Sequence, residues 1–163
     1  MTKRMKLIIR VNEQAGSEEF YKKSQHLGLL AVQCFREEQE RHRSQMTGLE
    51  NIAETTLKVT DVLDYIKKQT AHQREKQGQR EQQGWKKKVG ANGELFGQVL
   101  KEDIETGLDS FINKVCENFI NSTTDEGKQE RQEVHLLLIR QLIRQLVVRY
   151  EYEMSLIEEK AKR

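Results

Sequence analysis

A chain of 163 residues with no proline has lost the residue that most forcefully ends a helix, since proline removes a backbone donor and clashes with the preceding turn. Most of the apolar residues here also recur at three-and-four spacing, the signature of one buried helical face. Long helices are therefore predicted throughout. Only 36% of residues are apolar, 33% are charged and the mean hydropathy is −0.82. That balance suits helices that each give one stripe to a shared interior. At 19.2 kDa the chain is long enough to bury a core as one domain without metals or disulfides.

Residues 5 to 11 break the helical rhythm. Met5, Leu7, Ile9 and Val11 alternate with Lys6, Ile8 and Arg10, which is strand period. A lone strand leaves its backbone groups unpaired, so an extended arm here requires an edge supplied by another chain. The arm is expected over residues 1–16, with Met5, Leu7, Ile9 and Val11 as partner-binding residues docking by β-augmentation. A frayed basic terminus or a first helical turn is the competing reading of the same residues.

Ser17 followed by Glu18 and Glu19 is a helix start, a capping hydroxyl with carboxylates at the positive end of the dipole. The first helix is predicted to run to about Ser44, burying Phe20, Leu27, Leu30, Ala31, Cys34 and Phe35. A second follows the capping-box pattern Thr47 to Glu50, on a seam of Leu49, Ile52, Thr56, Val59, Leu63 and Ile66. A third, capped by Asn92, runs to about Ile120, with Gly97 and Gly107 as weak points. The polar cluster Asn121 to Gly127 turns the chain into a last helix, about Glu126 to Lys160, long enough to overhang its neighbours. The fold class predicted is all-α, a four-helix bundle of long antiparallel helices over residues 17–163, preceded by the short extended arm.

From about Ala71 to Asn92 periodicity vanishes and Gln, Lys, Arg and Gly dominate. Loops beyond about 12–15 residues are uncommon in compact domains and usually functional or mobile. Lys67, Lys68, Arg74, Lys76, Arg80, Lys86, Lys87 and Lys88 stand here against Glu75 and Glu81. Such a strip can neutralise phosphates and release counterions without reading sequence. Trp85, the one tryptophan, is placed either to stack on an unpaired base or to fold back as an anchor for the third helix. Arg140 and Arg144, one turn apart, form a weaker basic strip.

Other chemistries lack their residues. His26, His42, His72 and His135 fall on different predicted elements without metal-ligand spacing, so no metal is expected. Glu18-Glu19, Glu37-Glu38 and Glu158-Glu159 lie in charged stretches that would not tune an acid and a base. There is no Gly-x-Ser-x-Gly elbow, and Gly90 to Gly97 lacks the Gly-Lys-Ser/Thr ending of a phosphate loop. Cys34 and Cys116 sit among bulky apolar residues and read as buried thiols. No apolar run approaches the roughly 18 residues of a membrane span, and no signal-peptide core is visible, so a cytoplasmic location is expected.

The function predicted is a non-catalytic helical subunit of a nucleoprotein assembly, contacting RNA or single-stranded DNA backbone through residues 67 to 88 while the arm and last helix dock onto other protein subunits. At this coarse level the chain is similar to small helical subunits of CRISPR-type effector complexes. No cofactor, small-molecule substrate or membrane partner is expected. The alternative is a protein-interaction adaptor or homo-oligomeric helical module with no nucleic-acid role.

Overall fold

The computed structural model describes residues 1–37, 42–73 and 83–162, and among them every regular element is helical apart from one isolated antiparallel bridge between Lys88 and Leu95. The order is α1 (Lys3–Ala15), α2 (Glu18–Phe35), α3 (His42–Thr55), α4 (Val59–His72), a 3-10 turn (Gly84–Lys86), α5 (Phe96–Glu105), α6 (Asp109–Cys116) and α7 (Asp125–Ala161). With 37 residues, α7 is about 55 Å long at 1.5 Å per residue.

The expected N-terminal strand is instead the helix α1. Thr2 caps it through a hydrogen bond from the Met5 amide. Leu7, Val11 and Ala15, four residues apart, are its buried stripe. The apolar Ile8 interrupts the apparent alternation, and the 7/11/15 spacing decides the outcome, because one helical face can pack on α7 while the helix satisfies its own backbone. Met5 and Ile9 consequently point outward, and the β-augmentation reading does not hold. Arg10 ties α1 to α6 by donating to the Val115 and Glu117 carbonyls at 2.8 and 3.0 Å.

The cap at Ser17 forms as its sequence predicts, accepting from the Phe20 amide, and within the predicted polar cluster it is Thr124 that caps α7, accepting from the Gly127 amide. The second and third predicted helices, however, are each broken in two. The first break, Thr56 to Lys58, is held by the buried Thr56 hydroxyl, which donates to Asp61 Oδ2 at 2.5 Å and accepts from the Lys58 amide. The seam 49/52/56/59/63/66 survives on both sides of it, so periodicity could not distinguish one helix from a hairpin of two. The second break, Thr106 to Leu108, contains Gly107. α3 also begins upstream of Thr47, and residues 87–95 form a tight hairpin rather than a helix start, with Val89 donating to Glu94 and Phe96 to Lys87.

The extra reversal at residues 56–58 inverts the direction of everything after it. Lys3 pairs with Glu130, Ala15 with Gln145, Ser24 with Gln145, and Gly28 lies against Arg149. α1 and α2 therefore advance along α7 in its own direction. α3 runs against α7, with Thr56 on Arg140 and Glu54 on Arg144, as do α5 and α6, with Ile104 on His135 and Asn113 on Arg131. The molecule is all-α, but it is not four long antiparallel helices.

One apolar core joins all the helices, from Leu7 of α1 to Met154 of α7. α2 comes close to α7 at Gly28: a Cβ there would lie 2.8 Å from the Leu146 carbonyl oxygen and from Arg149 Cβ. Replacing Gly28 with Ala should destabilise by about 1–3 kcal/mol through overpacking. Urea unfolding followed by far-UV circular dichroism should show the midpoint falling with the slope unchanged.

Candidate macromolecule-binding surfaces

Trp85 is not available for base stacking. It is 1% exposed, with its ring edge-on to Phe35 at 5.5 Å and tilted against Phe96 at 5.7 Å. Its indole Nε1 donates to Gln45 Oε1 at 2.7 Å. Burying so large a ring with its one polar atom satisfied is a strong anchor, and it packs the 3-10 turn onto α2, α3 and α5. Gln73 Oε1 accepts from the Trp85 amide at 3.4 Å and lies against Gly84, which has φ +67°. The end of α4 is thereby clasped to the start of the 3-10 turn.

That clasp joins the two segments that carry the predicted lysines. Lys67 and Lys68 are exposed on the last turns of α4, and Lys88 is exposed on the hairpin. Lys86 and Lys87 are half-buried, and Lys87 places its charge close enough to Cys34 to stabilise a thiolate there. Lys67 is 3.6 Å from Asp64. Arg74, Lys76 and Arg80 lie outside the described residues.

The weaker arginine strip is bonded to the α3 side of the fold. Arg140 donates through Nε to the Ala53 carbonyl and through Nη2 to the Thr56 carbonyl, both at 2.8 Å, so it satisfies acceptors that the end of α3 leaves open. Arg144 makes a bidentate pair with Glu54. That hydrogen bond holds the Glu54 carboxyl below its ordinary value of 4.5. The pair's contribution is complete above that value and is lost as pH falls through the lowered one. With both groups substantially exposed it is worth about 0.5 kcal/mol.

Cys34 and Cys116 are free and buried, as their sequence neighbours imply. Burial pushes the Cys34 thiol from 9.0 to about 12, against a smaller opposing pull from Lys87, so the thiol stays protonated and unreactive at neutral pH. Burial also raises Cys116. His135 spends its Nε2 on the Ile104 carbonyl at 2.7 Å. Among the described residues no group of His, Cys, Asp or Glu is arranged to hold a metal ion, and no helix is long and apolar enough to cross a membrane.

The surface that residue-by-residue reading overlooked runs along α2 and α7. Tyr21, Gln25, Arg144, Gln145, Val148, Arg149 and Tyr152 line a shallow groove of about 380 Å³. Val148 and Tyr152 are 65% and 59% exposed. Leu29, two turns beyond Tyr21, and Leu156, one turn beyond Tyr152, are also exposed and continue the two stripes at helical spacing. The signal was present in the sequence as a second apolar phase on the last helix, 148/152/156, beside the buried stripe Leu146, Tyr150 and Met154.

No protein-family model, curated protein or solved structure matches the chain.

Replacing Trp85 with Ala should cost about 3–5 kcal/mol, measured by thermal unfolding. In the intact chain Trp85 emission should be that of a buried indole and should not change when single-stranded RNA is added; quenching by RNA would show the ring leaving its pocket to stack. Arg140→Ala should cost about 2 kcal/mol by orphaning two carbonyls, well above the loss from Arg144→Ala in the same assay.

Proposed function

We propose that the chain is a non-catalytic helical subunit of a larger assembly, held by a partner protein chain along the α2 and α7 face. The observation that carries this reading is the exposed row Val148, Tyr152 and Leu156 beside Tyr21 and Leu29. Scattered apolar residues on a surface need no explanation, but a contiguous row flanked by polar side chains marks an interaction site. Tyrosine with arginine is also the pairing enriched where interfaces concentrate their energy, and Arg144 and Arg149 border the same groove. An amphipathic helix laid between α2 and α7 would cover the row.

A second reading, contact with RNA or single-stranded DNA backbone, is favoured by the clasp at Gln73 and Trp85. It joins Gln73, just past α4, to the turn that carries Lys86 and leads into Lys87 and Lys88, while Lys67 and Lys68 lie exposed further back on α4. In this reading Trp85 acts as the anchor of the lysine edge, and affinity comes from charge alone. The two surfaces use different residues, so one subunit can carry both.

The test of the first reading places a photo-crosslinking amino acid at Val148 in the host cell. A discrete protein adduct should form and should disappear when Tyr152→Glu is added to the same chain; adducts that ignore Tyr152→Glu would sink the reading. The second is tested by a polarisation titration with labelled single-stranded RNA, single-stranded DNA and duplex DNA. Binding should fall steeply between low and physiological salt and weaken on changing Lys86, Lys87 and Lys88 to Ala; affinity unmoved by that change would remove the lysine edge from the site.

A further inference from the structure

A second groove, of about 400 Å³, opens where the beginning of α1 and the turn between α3 and α4 meet the first half of α7. Its apolar lining includes Leu7, Ile8, Leu57, Val59, Leu136 and Leu137. Leu57 is 88% exposed, the most exposed large apolar side chain of the described residues, and it stands at the edge of the groove. The turn that presents it is not loose. Thr56 is buried and bonded to Asp61 and Lys58, and Arg140 grips the Thr56 carbonyl. Leu57 is thus a fixed apolar knob next to an apolar hole.

The walls of this groove carry both signs of charge. Arg4 projects from α1 and Glu133 from α7, both exposed and both lining the groove. Neither makes an ion pair among the described residues. Next to them the walls are already bridged, Lys3, the residue before Arg4, pairing at 2.9 Å with Glu130, one turn before Glu133. Arg4 and Glu133 are the pair left over.

We propose that this groove receives a second copy of the chain about a two-fold axis. An isologous interface must be complementary to itself, and this patch is so in shape and in charge. A knob beside a hole places Leu57 of each copy into the groove of the other. A cation on one wall and an anion on the opposite wall let Arg4 of each copy face Glu133 of the other, two equivalent pairs. A uniformly acidic or basic foreign helix would satisfy one wall and oppose the other, and juxtaposed like charges cost several kcal/mol. The fixed turn also reduces the ordering cost of association. This surface shares no residue with the α2 and α7 groove, so the dimer stands or falls apart from the proposed partner site.

The test is sedimentation velocity of the full chain from low micromolar to submillimolar concentration. The wild-type chain should show a monomer–dimer equilibrium, and Leu57→Glu, a change at an exposed position, should stay folded by circular dichroism and remain monomeric. Arg4→Glu and Glu133→Arg should each weaken dimerisation by about tenfold, and the double reversal should restore it. Tyr152→Glu should leave the dimer intact. A wild-type chain that is monomeric throughout overturns the proposal and leaves the groove to a different protein. So does a dimer indifferent to Leu57→Glu, or one that the double reversal fails to restore.

Discussion

The fold depends on the contact of α2 with α7 at Gly28. Each side-chain atom between two helices adds to their separation, and here α2 contributes none: its backbone at Gly28 rests on the Leu146 carbonyl and the Arg149 stem of α7. Phe20, Leu27, Ala31 and Cys34 of α2 are then fully buried, as are Leu138, Ile139, Leu142, Ile143 and Leu146 of α7. α3, α5 and α6 close over this pair, and α4 fits against α5 where Gly97 admits the side chain of Thr70. Interiors packed to this density transmit a misfit in one layer to the next.

A chain without proline must stop its helices by other means, and several of the stops are tertiary. Arg140, on α7, takes the carbonyls at the end of α3. Arg10, on α1, takes those at the end of α6, its guanidinium lying 5.0 Å over the Phe119 ring while Asn118 turns the chain at φ +57°. Cationic donors at helix C-termini are favourable for the dipole as well as for the orphan acceptors. In both cases the cap comes from an element more than eighty residues away in sequence.

This explains what was legible in the sequence and what was not. The cap at Ser17, made by a sequence neighbour, could be read directly, and so could the polar turn that starts α7 and the burial of both cysteines. The break at Thr56 could not, because its cap is a distant arginine and its apolar phase is unbroken. One unseen reversal then misdirected every later helix, a topological error built on a local one. α1 was misread because Met5 to Val11 satisfies two periods at once, and only the presence of α7 selects between them. Among the site residues, charge could be read as charge, but whether Arg140 and Arg144 face a ligand or a carbonyl is a property of the packed structure. Trp85 had both of its roles visible, and the aromatic pocket of Phe35, Tyr65 and Phe96 decided for the anchor.

Because α1 and α2 lie along α7, the first two helices find a shared partner more than a hundred residues later in the sequence. The links Lys3 to Glu130 and Ser24 to Gln145 span 127 and 121 residues, separations more typical of β-topologies than of helical ones. During synthesis α2 is complete at Phe35, whereas α7 ends at Ala161. At 5–20 residues per second that interval is about 6–25 s. During it the apolar faces of the helices already made wait for the rod that will cover them. For this molecule, folding on the ribosome is a matter of shielding an unfinished interior until its last element arrives.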